Sequence, residues 1–348
     1  WEFKFLNRAL AEDDQVQLVG LIRIADRERK FEFRGRSSES SNPLYRGFDK
    51  TQEDTERYDQ AVLRRLNVRD EAELRSGFPK IPEDLYLYQA VVLDDLEAGF
   101  FTREQMNLLQ KFVSERGGGL LMLGGQESFH EGKFEHTPIG DMLPVYLDRT
   151  PEIPSAAELR LELTREGWLQ PWTRLRNNEI EERTRLQSMP PFQVLNNVRD
   201  IRPGASTIAS VVDAAGHSYP ALVVQRFGRG RTAALTIGDM WKWGMQNEAL
   251  HRDMDKAWRQ MIRWLVADVP QRLEMQAELQ TDANQSMLLQ VRVRDKKFQP
   301  LDNASVTLEI QSATGHGAGA KPGDASVVAD NAHSLRIPAE AALSEPGL

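Results

Sequence analysis

Apolar positions recur along this chain with two different periods, and the change between them divides it. Phe3, Leu6 and Leu10 are spaced as one helical face, and Val16–Ile24 reads as a strand. Gly35–Thr55 is polar and rich in turn residues, the composition of a long excursion from a core. Tyr88–Leu93 is a short apolar run closed by Asp94 and Asp95, which predicts a buried strand. Thr102 is placed to cap a helix whose first turn holds Glu104 and Gln105 and whose apolar face is Met106, Leu109, Phe112 and Val113. Leu120–Leu123 follows at once, bracketed by Gly117–Gly119 before it and Gly124-Gly125 after it. Strand, helix, strand in that order predicts a parallel sheet with right-handed crossovers.

Beyond Pro144 the predicted strands are Leu159–Leu163 and Ile208–Val212, followed by a hairpin. Its arms are Ala221–Arg226 and Thr232–Ile237, joined by Phe-Gly-Arg-Gly-Arg. Leu250, Met254, Ala257, Trp258, Met261, Ile262 and Leu265 then trace a long amphipathic helix that Pro270 closes. After Pro270 the period falls to two: Leu273, Met275, Ala277 and Leu279, then Leu289, Val291 and Val293, then Val306, Leu308 and Ile310. Such strands predict a β-sandwich module, with Gly315–Gly323 as a loop within or beside it. We therefore expect an α/β domain over 1–269 and an all-β domain, truncated, over 270–348.

Composition narrows the function more than the fold. A net charge of −8 over 348 residues argues against a general nucleic-acid binder. The complete lack of cysteine removes disulfides, thiolate metal sites and cysteine nucleophiles. No run approaches the ~18 apolar residues of a membrane span, and no signal-peptide pattern opens the chain.

Three strand ends carry the candidate chemistry. Leu93 leads into Asp94-Asp95, Leu123 into Gly124-Gly125-Gln126, and Ile237 into Gly238-Asp239 with Trp241 and Trp243 close behind. In open α/β sheets the carboxyl ends of neighbouring strands share a ligand crevice. Gly124 and Gly125 let backbone approach a ligand there and offer N–H groups to an anion; paired glycines equally suit a tight turn. Asp94 and Asp95 read either as acid–base groups or as turn caps, and Trp241 and Trp243 either as a stacking platform or as core. Ser128 with His130 invites a nucleophile–base reading, but residues two apart face different ways and no G-x-S-x-G elbow surrounds the serine. His130 and His136 lack the spacing of a helical metal pair, so no metal and no cofactor are expected. Gly117–Gly119 precedes its strand, which excludes a Rossmann phosphate loop.

The order Tyr88-Gln-Ala-Val-Val-Leu-Asp-Asp-Leu, Phe112-Val113 and Arg116-Gly-Gly-Gly-Leu-Leu-Met-Leu-Gly-Gly125 resembles the class I glutamine amidotransferase-like superfamily. More closely, it is similar to the amidotransferase-like domain of bacterial membrane-anchored proteins that also carry von Willebrand factor A modules. The opening helix, Phe227-Gly-Arg-Gly-Arg-Thr, Asp239-Met-Trp and Trp258-Arg-Gln-Met-Ile-Arg-Trp-Leu fit the same pattern. The resemblance covers Trp1 to Val269 and implies a flavodoxin-like three-layer sandwich. In the family a strand precedes the first helix, so the chain is expected to begin late. Val291-Arg-Val-Arg-Asp and Pro300-Leu-Asp-Asn-Ala-Ser-Val look like a bacterial immunoglobulin-like module.

Active members place a cysteine at the elbow after the glycine-flanked strand and a histidine late in the domain. Here the elbow is Leu123-Gly124-Gly125-Gln126 and the late strand ends Thr236-Ile237-Gly238-Asp239, without either. The expectation is a domain without amidotransferase catalysis, serving binding or assembly in a larger envelope protein on its periplasmic side, with a cytoplasmic location as the alternative. Its partner would be a protein or small ligand, with membrane contact only through flanking segments. The competing expectations are a hydrolase-type enzyme using carboxylates of the crevice (Asp94, Asp95, Gly124, Gly125, Gln126, Ser128, Asp239, Trp241) or a sugar-binding protein.

Overall fold

The computed structural model describes residues 2–25, 62–148, 158–198, 200–279, 287–301, 307–310 and 335–338. The chain divides into two compact units, Trp1–Val269 and Pro270–Leu348. The expected excursion at Gly35–Thr55 and the loop at Gly315–Gly323 lie outside the described residues.

The first unit opens with α1 (Glu2–Ala11) and a two-stranded antiparallel ribbon, β1 (Gly20–Ala25) with β2 (Val62–Leu66). The strand expected from Val16 starts only at Gly20; Val16 and Leu18 instead pack their side chains against the core ahead of it. A short helix α2 (Pro82–Leu85) leads into β3 (Ala90–Leu93), α3 (Arg103–Ser114) and β4 (Gly119–Leu123). Then come α4 (Pro138–Met142), β5 (Arg160–Leu163), α5 (Arg165–Leu169) and α6 (Glu179–Ser188). The unit finishes with β6 (Ser206–Val212), β7 (Ser218–Phe227), β8 (Gly230–Leu235), α7 (Trp241–Met245) and α8 (Glu248–Val266).

Six of these strands form one sheet, in the order β3-β4-β8-β7-β6-β5. It is a flavodoxin-like α/β arrangement, but only β3, β4 and β8 run parallel. The β3–β4 pair is parallel, as the strand–helix–strand order predicts, and the other half is antiparallel, including the predicted β7–β8 hairpin. Local turns decide this. β7 returns into β8 through Gly228-Arg229, where Gly228 takes φ +59° and a side chain would strike the Ser114 backbone. Asp213 likewise closes the β6–β7 turn by accepting the Ala215 and His217 amides. Turns this short join only antiparallel neighbours.

Side chains alternate across β4 and place helices on both faces. A Cβ at Gly118 would meet Phe112 of α3, whereas one at Gly119 would meet Leu265 of α8. Leu121 and Leu123 accordingly join the cluster formed with Phe5, Leu6, Met254, Trp258 and Leu265 of α1 and α8. Arg8–Asp255 (2.9 Å) and Arg263–Asp13 (2.7 Å) tie α1 and the turn after it to α8. On α3, Thr102 and Gln105 form the capping box that the sequence predicts, and Gln105 also donates to the Phe78 carbonyl.

In the second unit β9 (Leu273–Leu279) pairs antiparallel with β10 (Met287–Val293), and β11 (Thr307–Ile310) with β12 (Leu335–Pro338). The period-two segments are strands, yet Leu273 and Met275 are exposed. Among the described residues no helix is long and apolar enough to cross a membrane.

Candidate functional site

Because β3, β4 and β8 are parallel and in register, Asp94-Asp95, Gly124-Gly125-Gln126 and Gly238-Asp239 all emerge at one edge of the sheet. The three strand ends predicted to share a crevice therefore lie side by side, but most of their polar groups are already committed to one another.

Gly125 is the clearest case. Its N–H, expected to face an anion, donates instead to Asn196 Oδ1 at 3.0 Å, and Asn196 Nδ2 returns a bond to the Gly125 carbonyl at 2.8 Å. The Asn196 amide also donates to Glu131 at 2.9 Å. The residue is buried, so this pairing satisfies backbone groups that water cannot reach. Asp95 adopts φ +47° and uses Oδ1 to accept the Glu127 N–H at 2.7 Å. A side chain at Gly125 would collide with that same oxygen, and a Cβ at Gly124 would lie 2.6 Å from the Thr236 carbonyl oxygen. Both glycines are thus required by close approach. Gln126 is exposed beyond them.

Replacing Asn196 by alanine should leave the Gly125 amide buried without an acceptor, costing about 1–3 kcal/mol. An unchanged thermal midpoint in the purified variant would show that the Asn196 clamp contributes nothing.

Asp239 is 2% exposed and likewise occupied. It accepts the Gln193 N–H at 2.9 Å and the Val194 N–H at 3.3 Å, and pairs with Lys242 at 2.8 Å. Lys242 also reaches Gln193 Oε1 at 2.8 Å. This Asp joins the loop before β6 to the start of α7. Asp94 differs. Burial pushes its carboxyl above the usual carboxylate range, and the neighbouring Asp95 charge adds to this. The Phe3 N–H at the head of α1 donates to it and works the other way.

One participant has no counterpart among the residues singled out from the sequence. Glu2 is 8% exposed, and its Oε1 accepts the Trp241 N–H at 3.3 Å. Burial, with the charge of Asp94 beside it, pushes its carboxyl up to about 7. A glutamate in the first turn of a helix ordinarily faces water, so nothing in the pattern marked it.

The remaining candidates separate. Ser128 is buried, its carbonyl accepting the Gly132 N–H, while His130 pairs with Glu135. Trp243 is 3% exposed beneath the Arg185 guanidinium, 5.5 Å from its ring centroid, so it is core rather than platform. Trp241 is half-buried at the crevice with the Lys242 ammonium 6.0 Å from its ring centroid. Among the described residues no group of three His, Asp or Glu side chains is arranged to hold a metal ion.

With the glycine-flanked strand, its crevice and the late hairpin in place, residues 35–267 match the family model described as "Putative glutamine amidotransferase". The chain belongs to that family. Comparison with solved structures returns a cytoplasmic protein from Salmonella typhimurium LT2, 18% identical, covering 60% of this chain and 91% of that one, with a TM-score of 0.43. A second cytoplasmic protein from Salmonella typhimurium is 15% identical over 71% of this chain and 96% of its own, with a TM-score of 0.42. A β-galactosidase from Rahnella sp. R3 is 15% identical over 65% of this chain and 29% of its own, with a TM-score of 0.31. No curated protein matches the sequence.

Proposed function

We propose that this is a catalytically degenerate member of the amidotransferase-like family whose crevice edge serves binding or assembly within a larger bacterial envelope protein. The observation that carries this reading is the state of the elbow. The chain has no cysteine, and the Gly125 amide, a natural oxyanion donor, is held by Asn196. Covalent amidotransfer needs both a thiolate and free donors for the developing oxyanion. Here the thiolate is missing and the Gly125 donor is already engaged. The envelope context and the periplasmic side rest on the resemblance of Trp1–Val269 to domains of membrane-anchored proteins, and fractionation of cells making the full-length protein tests them. Incubating the purified chain with glutamine should release no glutamate above a protein-free blank. Turnover that co-purifies with the chain and disappears in an Asn196→Ala variant would overturn the reading.

A second reading, acid–base catalysis by crevice carboxylates, is favoured by Glu2, whose burial pushes its carboxyl up to about 7, and by Asp94, whose burial raises its carboxyl above the usual range. Asp95 and Asp239, bound to backbone amides and Lys242, are not available to it. Hydrolysis of a panel of aryl glycosides that vanishes in Asp94→Asn would support it.

A further inference from the structure

Four residues of the connection between α6 and β6 lie across the crevice edge. Leu195 bridges antiparallel to Ile237, just past β8. The Asn196 N–H donates to the Thr236 carbonyl and the Gly238 N–H to the Val194 carbonyl, both at 2.9 Å. The other anchors are crevice groups. Asp239 takes the Gln193 and Val194 amides, Lys242 donates to Gln193 Oε1, and the Asn196 carboxamide holds both backbone groups of Gly125. The Leu195 side chain packs against the core, whereas Gln193 and Val194 are exposed. Phe192 and Val198, 0% and 1% exposed, pin the two ends of the segment.

An extended peptide docks on an open sheet in this way, with main-chain bonds to a strand end and alternate side chains in fixed places. Here the peptide belongs to the chain itself. We propose that Gln193–Asn196 is a strap that closes the crevice edge as a built-in ligand, and that the partner this edge takes is another extended segment of the same chemistry: an apolar residue followed by one bearing a primary carboxamide. Given that the edge is a binding surface, as proposed above, the strap names what it binds.

Each position of the strap specifies part of that partner. The Thr236 carbonyl and the Gly238 N–H bind any backbone, so they supply affinity without sequence. An apolar side chain takes the place of Leu195 on the core. The carboxamide is the selective group. Gly125 offers one N–H and one carbonyl, and a primary amide meets them with an acceptor and a donor together. A carboxylate has no hydrogen for the Gly125 carbonyl, and an ammonium has no acceptor for its N–H. Glu131, which takes the Asn196 amide at 2.9 Å, adds a negative charge that further excludes a carboxylate. Because Phe192 and Val198 hold the flanks, the strap lifts from the edge without either flank leaving the core.

Fluorescence anisotropy of a labelled peptide spanning 192–198, FQVLNNV, against the intact chain tests this. Asn196→Ala in the chain weakens the strap and leaves the crevice groups untouched. The peptide should bind that variant roughly tenfold to a hundredfold more tightly than the unaltered chain, the factor by which loss of the amide pair raises the open population. Gln193→Ala alters an exposed position that folding does not depend on, and it should give a several-fold rise through the lost Lys242 bond. In the Asn196→Ala chain, bound peptide should slow hydrogen exchange at the Gly125 amide. The Asn196→Ala form of the peptide should bind neither variant. Equal affinity for the unaltered and altered chains, no binding to either variant, or binding of the alanine peptide as tight as that of FQVLNNV overturns the proposal. Glutamate release from glutamine would instead sink the reading of a catalytically silent edge and leave the strap to stand or fall on the peptide.

Discussion

Removing the Glu182 carboxylate as Glu182→Ala is expected to destabilise the first unit by about 3–5 kcal/mol. The side chain is 0% exposed and every bond it makes is specific. One oxygen accepts the Leu175 and Arg176 amides at 3.0 and 2.9 Å, and the other accepts Arg185 Nε and Nη2 at 3.0 and 2.6 Å. Arg185 is itself buried, at 5% side-chain exposure, and covers the ring of Trp243. Without Glu182 a guanidinium remains in the interior with no counter-charge, and that loss is large beside the 5–15 kcal/mol stability of a typical domain. Urea unfolding of the purified chain measures it. Replacing both partners, Glu182→Leu with Arg185→Met, should recover the part due to the stranded charge. It should still cost about 1–3 kcal/mol, because the two loop amides lose their acceptor. If the double variant is no more stable than Glu182→Ala, the stranded charge is not the cause.

Glu182 also marks where the sequence stops being informative. On α6 it sits among Glu179, Glu181 and Arg183, which are exposed, and nothing in EIEERTRLQS distinguishes the one buried acid. Elements defined by local periodicity were legible: α3 from its cap and apolar face, α8 from its stripe, and the β7–β8 hairpin from its glycine turn. β3 and β4 were legible for a related reason, since a strand covered on both faces is apolar throughout. What could not be read is pairing across long separations. β5 meets β6 antiparallel over 45 residues and more, a pairing that no local turn announces. The same limit applies at the site. The glycines announced a close approach at Gly124 and Gly125, but not that Thr236, Asp95 and Asn196 are what approach. Asn196 lies in a loop 71 residues from the amide it clamps, and Glu2 comes more than 90 residues before Asp94.

A thiol introduced at the elbow should not restore amidotransfer, and the position of the thiol sets the cost. In Gly124→Cys the new Cβ lies 2.6 Å from the Thr236 carbonyl oxygen and 2.7 Å from the Ile237 carbonyl carbon, both backbone atoms just past β8. Neither can rotate away, so the strand end must separate from its neighbour, costing about 3 kcal/mol, the upper range for an overpacked core. In Gly125→Cys the obstacle is the Asp95 carboxylate. It can turn aside, but only by releasing the Glu127 amide, so a smaller loss of about 1–2 kcal/mol is expected. Gln126 is already exposed, and Gln126→Cys should fold as the unaltered chain does. All three thiols should titrate with a disulfide reagent once the chain is unfolded; in the folded protein only Cys at 126 should react at once. Urea midpoints should rank the variants 124, 125, 126 from least to most stable. Glutamine hydrolysis should stay at background in each, because the Gly125 amide remains on Asn196 and no histidine stands at the late strand to take the proton. Glutamate release by Gln126→Cys alone would mean that the missing thiol was the sole defect, and that the crevice retains the rest of the machinery.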